Sequence, residues 1–145
     1  MYGPLIIHEP GQNYDADADR ILLLAAGGPR EDAIPMINGR IARPQIELRT
    51  GKTYCLRFIN ISPTSAKVVR LLSGKTVQSW RAFGKDGATL PPAQATNRPV
   101  RVALGSGETW DFALAPAAAG GMTLEVTTLP HNVPPTRNVL AINVQ

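Results

Sequence analysis

No stretch of this chain runs long without a residue that ends a helix. Its 145 residues include 13 glycines and 13 prolines, and these fall between short apolar runs together with Asn and Asp. Glycine costs backbone entropy inside a helix, and proline removes a donor and clashes with the preceding turn. Long helices are therefore excluded, and many short strands at close spacing predict an all-β sandwich or barrel. The strand candidates are 5–8, 20–26, 36–37, 41–42, 46–49, 52–61, 66–72, 77–84, 100–104, 109–114, 122–128 and 139–144.

Two segments carry that reading best. Tyr54, Leu56 and Phe58 alternate with Cys55, Arg57 and Ile59, which gives a strand with one buried face and places Cys55 beside Arg57 on the other. Asn38-Gly39 between Met36-Ile37 and Arg40-Ile41 is a two-residue hairpin signal, because a type I′ turn needs positive φ at both central positions. Gly105-Ser106-Gly107 predicts a turn into the strand that starts at Glu108-Thr109-Trp110. Pro91-Pro92 and Pro134-Pro135 mark loops, and 115–121 reads as a small-residue loop or a short helical turn. A chain of this length buries roughly 68–70% of its unfolded surface, enough for a core without metal or disulfide staples. The single cysteine, Cys55, rules out an internal disulfide.

The formal net charge of +4 raises the question of nucleic acid. Arg20, Arg30, Arg40, Arg49, Lys67, Arg81, Arg98 and Arg137 are spread singly, with no basic block and no interleaved aromatics. A phosphate footprint needs clustering, so a mixed, solvated surface is the expectation and nucleic acid is not a partner. No run approaches the roughly 18 apolar residues that span a bilayer, so a membrane is not expected either, and no signal peptide is visible.

Spacing decides which chemical motifs the chain can carry. Blue copper needs two His, one Cys and a weak axial Met. His8, His131, Cys55, Met1, Met36 and Met122 supply the inventory, but no His or Met follows Cys55 closely. No two candidates have the short spacing of a zinc site. Asp15-Ala16-Asp17-Ala18-Asp19 starts like a calcium loop, but Arg20 stands where Gly is required and Ala26 where Glu is. That run reads instead as an acidic, solvated approach to the next strand. Gly51-Lys52-Thr53 and Gly74-Lys75-Thr76 lack the upstream glycine and the helix of a phosphate loop, and read as turns. Glu108 with Asp111, or Asp86 with a partner, are candidate carboxylate pairs, though such residues more often bond turn backbones. Trp80 and Trp110 are expected in the core or at a domain contact rather than on a ligand surface. No catalytic, cofactor-binding or metal-binding residue is therefore assigned.

Several segments, taken in order, resemble the middle cupredoxin domain of bacterial three-domain, laccase-like multicopper oxidases. They are Tyr2-Gly3-Pro4-Leu5-Ile6-Ile7, Asp19-Arg20-Ile21-Leu22-Leu23-Leu24, Ile37-Asn38-Gly39-Arg40, Gly51 to Ile61, Lys85 to Pro92, and Gly107 to Phe112. The resemblance implies a Greek-key β-sandwich or barrel of the cupredoxin type over 11–145. It also implies that 1–10 is the closing strand of a preceding domain, beginning just past that domain's His-x-His copper ligands. In that family the outer domains hold the copper, oxidise phenolic, amine or metal substrates and reduce dioxygen. The middle domain is a copper-free spacer and interface. The resemblance thus implies no cofactor in this chain, flanking cupredoxin domains as partners, and a periplasmic or secreted bacterial parent. Arg-bearing strand faces and the Pro-rich loop 90–93 are the candidate contact surfaces. Residues 2–9 form an apolar edge expected to pack on the sandwich or to pair with another chain. The alternative reading is a stand-alone β-sandwich that binds a ligand or a protein.

Overall fold

The computed structural model describes residues 3–7, 10–11, 14–27, 34–41, 45–129 and 134–145. These residues contain thirteen strands and no helix. In chain order the strands are β1 (Asp19–Gly27), β2 (Ile34–Ile37), β3 (Ile46–Leu48), β4 (Tyr54–Asn60), β5 (Ala66–Ser73), β6 (Thr76–Val77), β7 (Ser79–Lys85), β8 (Ala88–Thr89), β9 (Asn97–Pro99), β10 (Arg101–Leu104), β11 (Thr109–Leu114), β12 (Gly120–Leu129) and β13 (Thr136–Val144). They form two mixed sheets. The larger runs β2-β1-β4-β11-β7-β8 with β9 also on β7, and the smaller runs β10-β5-β12-β13-β3 with β6 on β5. Only β1 with β4 and β13 with β3 pair in parallel.

Alternation along the strands builds the core. Tyr54, Leu56 and Phe58 point inward from β4 and are buried, while Cys55, Arg57 and Ile59 face out, as the sequence predicts. They meet Val69 and Leu71 of β5, Leu124 and Val126 of β12, and Leu140 and Ile142 of β13. An aromatic stack fills the centre. Trp80 lies flat on Phe112, with centroids 3.9 Å apart and planes 15° apart, and Phe58 tilts against Trp80 at 5.4 Å. Trp80 is thus a core residue, and Trp110 stacks on Phe112 at 5.5 Å in a half-buried position.

One expected strand is split by a crossing between sheets, and the one expected at 100–104 begins at another. At 77–84 the chain leaves β6 in the smaller sheet, passes Gln78, and enters β7 in the larger. At 97–104 it makes the reverse crossing at the buried Val100. The two crossings are tied together, since Val100 N–H donates to the Gln78 carbonyl at 2.7 Å. Such corners let one chain serve both layers of a sandwich.

The Asn38-Gly39 turn has the expected backbone, with φ of 51° and 72°. Its role differs from a simple hairpin. Ile37 and Arg40 form a single bridge, Ile41 lies in a bend, and β2 pairs with β1 instead. Asn38 completes the β1 edge: its Nδ2 donates to Ile21 O, its Oδ1 accepts from Leu23 N, and its own N–H donates to Leu23 O. Asn60 performs a similar task at the far end of β4. Its buried Nδ2 lies 3.0 Å from Ser65 O and 2.9 Å from Gly105 O, and its Oδ1 accepts from Ser62 N.

Lys67 departs from the expectation of a solvated surface. The period of β5 turns it inward, and it is fully buried with Nζ 3.1 Å from both Ser65 Oγ and Thr128 Oγ1. Burying an ammonium is costly without acceptors, which those hydroxyls supply. Residues 5–7 are the other departure. They form no strand, because they cross the outer side-chain face of the larger sheet rather than lying along a strand edge.

Candidate interface on the outer face of the larger sheet

The outward positions of β1, β4, β11 and β7 converge on one charged cluster. Arg57 Nε lies 2.8 Å from Asp19 Oδ1 and 3.0 Å from Oδ2, and its Nη1 lies 2.7 Å from Asp111 Oδ2. Strand register makes this possible: Arg57 sits opposite Asp111 on β11, and Ile21 of β1 sits opposite Arg57 two residues beyond Asp19. A β-bulge in β7 opposite Asp111 and Phe112 brings Gly84 beneath the cluster. A Cβ on Gly84 would fall 2.9 Å from Asp111 Oδ2, so glycine makes room for the carboxylate there. Side-chain exposures of 14% for Arg57, 9% for Asp19 and 21% for Asp111 show how far the cluster is withdrawn from water.

This arrangement corrects the expectation for 15–19. Asp15 is solvated, accepting from Asp17 N–H and pairing with Lys52 Nζ at 3.0 Å. Asp19 is half of a partly buried ion pair. The candidate carboxylate pairs do not assemble either. Glu108 Oε2 accepts from Gly105 N–H at 2.7 Å and Oε1 pairs with Lys85 Nζ, which together hold its carboxyl below the ordinary range. Asp86 Oδ1 accepts from Thr109 N–H. Both are turn-backbone partners, the role such residues commonly take. Asp111 belongs instead to the Arg57–Asp19 cluster, and burial is the main cause that raises its pKa.

Two shallow grooves flank the cluster. One, of about 290 Å³, runs past Tyr14, Asp19, Cys55, Arg57, Phe83 and Ala113. The other, of about 210 Å³, lies between the cluster and the crossing segment, lined by Leu5, Ile6, Ile7, Ile59, Thr109 and Asp111. Ile6 is half-buried there, while Leu5 and Ile7 are 84% and 83% exposed. The smaller sheet presents a different exterior, where the exposed Arg70 and Arg137 pair with the largely covered carboxylate of Glu125. The loop that contains Pro91 and Pro92 is exposed.

No protein-family model matches the sequence, and no curated protein sequence matches it significantly. Solved structures do match the fold. A blue copper oxidase from Nitrosomonas europaea superposes with a TM-score of 0.65 at 18% identity, over 87% of this chain and 43% of that one. A copper-containing nitrite reductase from Thermus scotoductus gives 0.68 at 16% identity, over 97% and 35%. A multicopper oxidase from Pediococcus acidilactici gives 0.61 at 10% identity, over 99% and 30%. The fold is cupredoxin-like. The chain spans between 30% and 50% of the length of these and the other similar solved chains, several of them also multicopper oxidases.

A copper ion in a cupredoxin-like sandwich needs a thiolate among imidazoles. Cys55 does not fit. It lies on the outer face beside the Arg57–Asp19–Asp111 cluster, and among the described residues no group of three or more His, Cys, Asp or Glu is placed to hold a metal. Burial, with Asp19 and Asp111 nearby, pushes its thiol up to about 12, so it stays protonated at neutral pH. His8 and His131 lie outside the described residues. Trp80 is too buried to serve as a ligand platform, and Trp110 is flanked by Lys85 and Arg98 at 5.5 Å and 5.9 Å from its ring centre.

A direct consequence concerns alkylation. Moving the thiol from 9.0 to about 12 lowers the thiolate fraction at pH 8 by about a thousandfold. Iodoacetamide should therefore modify native Cys55 about a thousandfold more slowly than the unfolded chain, as read by mass spectrometry. A rate within tenfold of the unfolded value would place the thiol in water instead. The linkage has a sign. A raised folded pKa stabilises the fold fully below the unfolded value near 9, and that contribution is lost as pH rises from there toward 12.

Proposed function

We propose that this chain is a copper-free spacer and interface domain of a multicopper oxidase, in the position of the middle domain of a three-domain, laccase-like enzyme. Residues 11–145 make up the cupredoxin-like domain, and 1–10 are the end of a preceding one. The flanking domains hold the copper, oxidise the substrate and reduce dioxygen, in a periplasmic or secreted protein. This chain fixes the geometry between them. The observation that carries the reading is the coverage: the sandwich accounts for nearly all of this chain and for less than half of most similar copper oxidase chains. The environment of Cys55 supports the copper-free part, since a protonated thiol beside a guanidinium is a poor metal ligand.

Titration of the purified chain with copper tests it. The expected result is no intense blue absorption and no stoichiometric metal after desalting. A tight one-to-one copper complex with thiolate charge transfer, or oxidation of a phenol by dioxygen with no other polypeptide present, would overturn the proposal.

A further inference from the structure

The cluster on the outer face of the larger sheet leaves one carboxylate oxygen of Asp111 without a donor among the described residues. Arg57 and Arg81 contribute +1 each and Asp19 and Asp111 −1 each, so the face is neutral when both carboxylates are ionised, but Arg81 stands opposite Ala113 and donates to Ala95 O rather than to the cluster. Arg57 occupies both oxygens of Asp19 but only Oδ2 of Asp111. Among the described residues nothing donates to Asp111 Oδ1. The surroundings are apolar: Ile59, Phe83, Ala113 and Ile6 are half-buried around the cluster, and Leu5 and Ile7 project from it. A carboxylate that is partly desolvated and incompletely paired gains more from a donor than a solvated one does. The exterior of the smaller sheet differs in that Glu125 there is 12% exposed and already paired through both oxygens with two arginines that are 42% and 62% exposed.

We propose that this face docks a protein surface in which apolar side chains surround one arginine or lysine, whose cationic group donates to Asp111 Oδ1. The proposal rests on the spacer reading in one respect: it takes the partner to be a neighbouring domain. It assigns that contact to the larger sheet and the 3–7 crossing rather than to the loop around Pro91-Pro92 or the smaller sheet. The contact is apolar burial around a paired charge, the form in which a buried ion pair adds specificity and in which losing either partner weakens binding.

The probe is the tripeptide acetyl-leucyl-arginyl-leucinamide, with the same peptide carrying citrulline for arginine as the neutral isostere. Amide NMR titration of the chain should give shifts centred on Arg57, Thr109 and Ala113. The arginine peptide should bind about tenfold more tightly than the citrulline peptide, the ratio set by one charge-assisted hydrogen bond. Asp111→Asn keeps the shape of the side chain and should erase that preference, with slow alkylation of Cys55 reporting that the face is intact. Equal binding of the two peptides, shifts centred on β5 and β12, no binding at millimolar peptide, or a preference that survives Asp111→Asn would each overturn the assignment. The copper titration separates the two proposals. A copper-free chain without the arginine preference keeps the spacer reading and loses this surface, and a copper-binding chain with the preference does the reverse.

Discussion

Trp80→Ala lowers the unfolding free energy by about 3–5 kcal/mol, the range for truncating a fully buried aromatic. Against a total of about 5–15 kcal/mol for a domain, that loss leaves a marginal fold. The size follows from position. Trp80 is 2% exposed, is stacked on Phe112 at 3.9 Å and touches Phe58, so its removal opens a cavity at the centre of the sandwich and breaks two ring contacts. Its indole Nε1 finds no acceptor among the described residues. Trp80→Phe therefore removes an unsatisfied donor along with some volume, and costs much less than alanine. Urea unfolding followed by circular dichroism gives both values. An alanine cost below about 1 kcal/mol would show that the aromatic stack is not the centre of the core.

The second large effect belongs to Arg57. Arg57→Met leaves Asp19 and Asp111 facing each other on the sheet without a cation, and costs about 3 kcal/mol at pH 7, the low end for breaking a buried ion pair. The low end applies because the three side chains keep 9–21% exposure. Adding Asp19→Asn and Asp111→Asn removes the uncompensated charges and recovers most of the loss, since neutral replacement of a whole buried cluster is often close to neutral. Thermal or urea unfolding of the single and triple variants reads this directly. A harmless single change, or a triple variant worse than the single, would mean that the cluster is solvated in solution. The single variant should also recover as pH falls, because protonating Asp111, whose pKa is raised, relieves the same repulsion.

Much of the architecture is legible in the chain because local periodicity and burial agree. The β4 alternation places every residue from Tyr54 to Ile59 on its correct face, and 109–114 matches β11 from end to end. The failures have a common cause. Gln78 sits within a run that reads as one continuous strand and Val100 at the head of another, and only the second layer of the sandwich tells the chain to cross there. Segment 5–7 has the composition of a strand, but strands need a neighbour in the hydrogen-bonding direction, which a sequence does not reveal. Lys67 follows the period of β5 inward, so alternation was the signal that it is buried. The identity of the residue argued the other way. The charged cluster was half visible. Cys55 and Arg57 share the outer face by alternation alone, whereas Asp19 and Asp111 reach Arg57 only through one parallel and one antiparallel register.

The side chain of Asn38 stands where a further strand would otherwise join β1, bonding Ile21 O and Leu23 N with its own amide. Beyond it the sheet ends in the four residues of β2, one of which is Pro35, with no N–H to offer. A foreign strand meets a plugged template on one stretch and a gap in the donor row on the next. This border of the molecule is thereby poorly suited to seeding fibrils, and swapping Asn38 for a residue without a side-chain amide would reopen it.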